Sequence, residues 1–166
     1  MAGMITQLVE IMSEQSERYN ELLGLTLEEK DVLISNDVEE LQKLTNLKNM
    51  VITQNNRLER KRIELVNDIA EVMGHNQKDI DLATLMEIIG DQPESEELET
   101  LGAKLRENLG KLKEANNINR QLLEASLEYV EYSINMVKSS VKPEMLEFPD
   151  RGDKGEDVYG SFDTIQ

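Results

Sequence analysis

Residues 95–142 read SEELETLGAKLRENLGKLKEANNINRQLLEASLEYVEYSINMVKSSVK. The stretch contains no proline. Its apolar residues fall at Leu98, Leu101, Leu105, Leu109, Leu112, Ala115, Ile118, Leu122, Leu123, Leu127, Val130, Ile134 and Val137. Steps of three and four mark an amphipathic helix. At 1.5 Å per residue such a helix is roughly 65–70 Å long. It cannot bury its own stripe, so the rest of the chain or a partner must supply the other surface. Ser95 is expected to cap it, with Glu96, Glu97 and Glu99 at its positive end. Gly102 and Gly110 are expected to weaken its first third.

The remaining chain supplies two further long helices. Ile5, Leu8, Val9, Met12, Tyr19, Leu22, Leu23, Leu27, Leu33 and Ile34 predict a first helix over about residues 3–35, with Gly24 inside it. Asn36 or Asp37 then caps a second helix running from about Val38 to Met73 and ending at Gly74. So short a link makes the pair antiparallel. Leu44, Val51, Leu58, Leu65 and Val72 recur by sevens, a coiled-coil-like seam. The companion positions Leu41, Lys48, Asn55, Arg62 and Ile69 are polar in the middle. That polarity reads as register control, or as a region kept loose to exchange partners. Ile80–Ile89 reads as a short helix capped by Asp79 or Asp81 and closed by Gly90 to Pro93. From Asp79 to Glu99 there are eight acids and no base, which reads as a solvated turn or as a seat for a basic partner.

Composition limits what such a chain does. With 166 residues, two Phe and no Trp, a thin Leu/Ile/Val/Met core suits it better than a deep globular one. The expected fold is all-α, an elongated antiparallel bundle or coiled coil of three long helices and one short one. The bundle is expected over residues 1–142, with a flexible acidic tail over 143–166 rich in Pro and Gly. A formal charge of -16 repels nucleic acid and anionic membrane, which require clustered Lys and Arg. No apolar run approaches ~18–20 residues, so no membrane-inserted helix is expected. The first residues lack the basic and apolar regions of a signal peptide, and a cytoplasmic address is expected.

Chemistry is not expected either. His75 is the single histidine and there is no cysteine, so no metal site forms by the usual ligands. Glu-x-x-Glu pairs lack the Glu-x-x-His of di-iron bundles, and no phosphate-binding glycine loop occurs. No catalysis and no cofactor are expected. Arg57, Arg60, Lys61 and Arg62 form one basic cluster, expected to pair with acids of neighbouring helices.

Two segments carry a resemblance. Leu33-Ile34-Ser35-Asn36-Asp37-Val38-Glu39-Glu40-Leu41 and Asn116-Asn117-Ile118-Asn119-Arg120-Gln121-Leu122-Leu123-Glu124-Ala125-Ser126-Leu127-Glu128-Tyr129-Val130 resemble the first turn and the long-helix signature of the FlgN family of flagellar export chaperones. Leu8-Val9-Glu10, Tyr19 to Leu23 and Thr84 to Ile89 fit in order, so the resemblance spans about residues 4–140. It implies a substrate-specific chaperone of flagellar type III export, without catalysis or cofactor. Its clients would be hook-associated proteins of the hook–filament junction, held by a C-terminal amphipathic helix. Family tails dock the loaded chaperone on the export gate's cytoplasmic domain through a Tyr-Gly element, which Tyr159-Gly160-Ser161 resembles, although Phe162 and Asp163 depart from the family pattern. Phe162, the other aromatic of residues 149–166, is expected as a second contact on its aromatic character.

The expected client-binding face is Leu122, Leu123, Ser126, Tyr129, Val130, Ser133, Ile134, Met136 and Val137. Small Ser126 and Ser133 permit close approach, and Met136 adapts to more than one client. Helices one and two are shorter than the long helix, so part of this face is expected to be uncovered. The rival readings are a structural coiled-coil scaffold whose stripe closes by homo-oligomerisation, and a chaperone of another type III system.

Overall fold

The computed structural model describes residues 2–75 and 80–140. It contains α1 (Ala2–Ser35), α2 (Val38–Val72), α3 (Leu82–Ile89) and α4 (Ser95–Ser140), and no strand among the described residues. The chain divides into two compact units, Met1–Ser126 and Leu127–Gln166.

In the first unit, Asn36 and Asp37 divide the work of the α1–α2 turn. Asn36 takes the left-handed backbone, φ 55, which asparagine tolerates better than most residues. The Asp37 carboxylate accepts from the Glu40 N–H at 3.0 Å, and Glu39 and Glu40 stand in the first turn of α2. At the other end of α2, Gly74 has φ 82. Its N–H donates to Glu71 O and that of His75 to Ala70 O, a Schellman closure that glycine allows without strain.

Two apolar clusters fill the unit. The larger joins Ile5, Leu8, Val9 and Met12 of α1 with Val66, Ile69 and Ala70 of α2, then Ile80, Leu85, Ile89 and Leu98. The smaller joins Leu22, Val51 and Leu112, flanked by Tyr19, Leu23, Leu25 and Ile52. Asn119 Nδ2, buried, donates to Thr26 O at 2.8 Å. Pairing 112 with 22 and 119 with 26 gives offsets of 90 and 93 residues, so α4 runs parallel to α1. Gln15 Nε2 bonds Glu59 at 2.8 Å and Arg18 reaches Gln54, the decreasing partner numbers of an antiparallel pair.

Several local expectations are corrected. The heptad seam of α2 is buried at Leu44, Val51 and Leu58, but Leu65 is half-buried and Val72 is 61% exposed. The buried stripe passes instead to Val66, Ile69 and Ala70. A helix of 3.6 residues per turn drifts ~20° per heptad, and four heptads rotate Val72 off the face. Leu27 and Ile34, which helped to predict α1, lie in that helix and are exposed.

The short helix begins at Leu82, not Ile80. Asp81 caps it, accepting from Thr84 N at 2.8 Å; the Thr84 hydroxyl, together with that backbone N–H, holds its carboxyl below the usual range. Ile80 and Leu85, buried in one cluster, bracket the cap as a hydrophobic staple. Asp79 lies outside the described residues. Ser95 is not the cap of α4. Its hydroxyl donates to Gly90 O at 2.7 Å and accepts from Gln92 N, tying α4 to the preceding turn. Glu94 O accepts from Leu98 N and so occupies the cap position. Gly102 does more than weaken α4: an added Cβ would stand 2.4 Å from Leu82 Cδ2, so the missing side chain admits α3.

A candidate helix-binding face on α4

The C-terminal part of α4 departs from the rest in burial. Leu122, Leu123 and Ser126, in the first unit, are half-buried. In the second unit no residue from Leu127 to Ser140 is buried. Tyr129 is 72% exposed, Val130 51%, Ile134 46%, Met136 54% and Val137 53%, and Ser133 is half-buried. Leu127 and Tyr132 are exposed too, and they join the apolar surface although they were not expected in it. The signal for Leu127 was its place four residues after Leu123 in the same stripe.

Within this unit Leu127, Val130, Ile134 and Val137 follow at steps of three and four, hence on one face, while Tyr129, Tyr132 and Met136 form an adjoining row. Single exposed apolar residues are ordinary, and a row of this kind on one helix is a candidate interaction surface. The serines between them are already satisfied. Ser126 Oγ donates to Leu122 O at 3.0 Å and Ser133 Oγ to Tyr129 O at 2.8 Å.

The charged side chains do other work. Glu59 accepts from Arg62 Nη2 at 2.6 Å and from Gln15. The Arg62 hydrogen bond holds the Glu59 carboxyl below its ordinary value and Glu59 raises the guanidinium. Burial, with Glu59 nearby, pushes the Tyr19 phenol up. The basic cluster therefore makes its one ion pair among the described residues within α2, not across helices. Arg57, Arg60 and Lys61 are exposed. His75 is exposed, and no His, Cys, Asp or Glu group suited to a metal occurs among the described residues. Glu87, Asp91, Glu96 and Glu99 line a shallow cavity of about 620 Å³ beside Met86. Tyr159 and Phe162 lie outside the described residues.

Four helices, no strand among the described residues, and an amphipathic row left open define an all-α bundle protein. The model of the family described as FlgN protein matches residues 1–146. The chain belongs to the FlgN family, a family of flagellar export chaperones. No curated protein and no solved structure matches it. No helix among the described residues is long and apolar enough to cross a membrane.

Proposed function

We propose that this protein is a cytoplasmic chaperone of flagellar type III export that holds the C-terminal amphipathic helix of hook-associated proteins and delivers them to the export apparatus. The observation that carries the reading is the exposed apolar row on α4. Tyr129, Val130, Ile134, Met136 and Val137 are each about half or more open to solvent, in a chain whose family is one of export chaperones. The client's helix lies along Leu122, Leu123, Ser126, Tyr129, Val130, Ser133, Ile134, Met136 and Val137, its apolar stripe facing theirs, as amphipathic helices fill grooves. Covering a half-exposed side chain of this size yields about 1 kcal/mol. Several such contacts make a reversible complex, which suits a carrier that must release its client.

The test is the double variant Leu123→Asp with Val130→Asp, assayed by pull-down with the C-terminal regions of hook-associated proteins. Binding is lost while helix content by circular dichroism stays near the parent's. Global unfolding would place both residues in the internal core and remove the proposed site. Self-association of the parent that masks the row, with no client bound, would favour the scaffold reading.

Delivery is assigned to the C-terminal segment. Tyr159 and Phe162 are the two aromatics of residues 149–166, and one buried aromatic contributes ~1.5–3 kcal/mol, enough for a transient contact with the export gate's cytoplasmic domain.

A further inference from the structure

The two apolar clusters of the first unit are unequal, and buried polar side chains crowd the level between them, where Leu58 of α2 is buried as well. The larger contains eleven buried residues, the smaller three. Gln15 and Ser16 of α1, Asn55 of α2 and Asn108 of α4 are all buried in the gap. Ser16 lies level with residues 106–109 of α4 by the offsets above, and within a turn of Asn55 by the Gln15–Glu59 bond. Ser16 Oγ, Asn55 Oδ1 and Asn108 Nδ2 have no hydrogen-bond partner. Each helix of the unit's long three thus brings one unpaired polar group to the same level.

Beyond that level α4 is held by Leu112 in the smaller cluster and by the Asn119–Thr26 hydrogen bond, with less apolar contact than before it. Its buried residues there are Asn108, Leu112, Ala115 and Asn119, one large apolar side chain among four. Gly110, Asn116 and Asn117 lower its own helix propensity. Cooperative units in proteins divide where apolar contact thins, and the weaker unit opens first.

We infer that the first unit contains a built-in opening device. The segment of α4 from Asn108 to Ser126 lifts from the α1–α2 hairpin at the Ser16–Asn55–Asn108 layer while the larger cluster stays closed. Opening uncovers Leu22 and Val51 and leaves Ile5, Leu8, Ile69 and Leu98 packed. This is independent of what binds to α4.

The chain has no cysteine, so a single introduced thiol reports opening in the full-length protein. Val51→Cys and Ala70→Cys lie on the same helix, buried in the smaller and larger cluster respectively. After normalisation to unfolded chain, the thiol at 51 is expected to react with a maleimide roughly tenfold or more faster than that at 70. Adding Asn55→Leu and Asn108→Leu together slows the thiol at 51 to the rate at 70. Equal rates in the first pair, or a gap that survives the leucines, would overturn the inference. Native-state hydrogen exchange on the parent chain supplies a variant-free check. Amides 108–119 exchange faster than amides 98–105, and equal protection would likewise overturn it.

Discussion

Gly102→Ala and Gly110→Ala are the same change in the same helix, and the structure gives them different signs. Alanine in a helix interior is favoured over glycine by roughly 1 kcal/mol. Gly110 has nothing within 4 Å of an added Cβ, so that gain is realised in full. For a domain of this size it raises Tm by about 2–4 °C. At Gly102 the added Cβ meets Leu82 Cδ2 at 2.4 Å, against ~3.5–4.0 Å for an ordinary carbon contact. The Leu82 methyl must move by more than about 1 Å, against the larger cluster on which Leu82 packs. Overpacking of that kind costs about 1–3 kcal/mol. The net is a destabilisation between about zero and 2 kcal/mol, despite the better helix former. Urea unfolding followed by circular dichroism reads both variants, and Leu82→Ala closes the cycle. In that background the clash is gone, and Gly102→Ala recovers the roughly 1 kcal/mol gain. If Gly102→Ala stabilises the parent as much as Gly110→Ala does, Leu82 does not sit over Gly102 and the seating of α3 on α4 is wrong.

Other outcomes follow from contacts already described. Asn119→Ala removes the bond to Thr26 O and costs about 1–3 kcal/mol in urea unfolding. A neutral result would show that the α1–α4 bond does not form. Lys48 and Glu29 form a largely buried ion pair, so Lys48→Met is expected to cost about 3–5 kcal/mol, with part recovered when Glu29→Leu is added. Additive effects of the two changes would refute the pairing. Glu59 has a carboxyl pKa below its unfolded value of 4.5, so its contribution to stability is complete above that value and is lost as pH falls through the lowered one. Glu59→Gln flattens the loss of stability on acidification below about pH 5, and an unchanged pH profile would show that the Arg62 and Gln15 bonds are not kept in solution. Deleting residues 149–166 leaves client binding intact and weakens binding to the export gate's cytoplasmic domain in paired pull-downs. Equal loss of both, or a large fall in Tm, would make the segment part of the bundle.

Features written locally were legible in the sequence. Asp37 and Gly74 end or start helices through bonds to residues within five positions, and the three-and-four spacing of α4 needs nothing but α4. What depended on a distant element was not legible. Val72 fits a perfect heptad, yet the drift of a real helix turns it outward. Ser95 has the identity of a cap, but its hydroxyl finds partners in the turn behind it. Gly102 reads as a weak point until Leu82 occupies its missing side chain. The candidate face shows the same division. Its residues were named by periodicity and its partial openness by length, α4 being longer than α1 and α2, whereas which side chains stay open depends on what fails to cover them. Leu127 lies on the stripe that periodicity marks, four residues after Leu123, yet it and Tyr132 were left out of the expected face.

The two-residue turn at Asn36 and Asp37 also governs the order in which the chain takes shape during synthesis. It closes the shortest loop in the bundle, and contacts near in sequence form soonest because little chain entropy is lost in making them. The α1–α2 hairpin is available once Gly74 and His75 have emerged. The next ~65 residues, through the end of α4, take roughly 3–13 s to add at ~5–20 residues per second. During that interval Ile5, Leu8, Met12, Leu22 and Ile69 have no α4 to cover them. A nascent hairpin therefore presents an apolar face for seconds before its third helix arrives. Residues 1–75 carry fourteen acids against eight Lys and Arg, a net charge of -6, which opposes the close approach of two such hairpins.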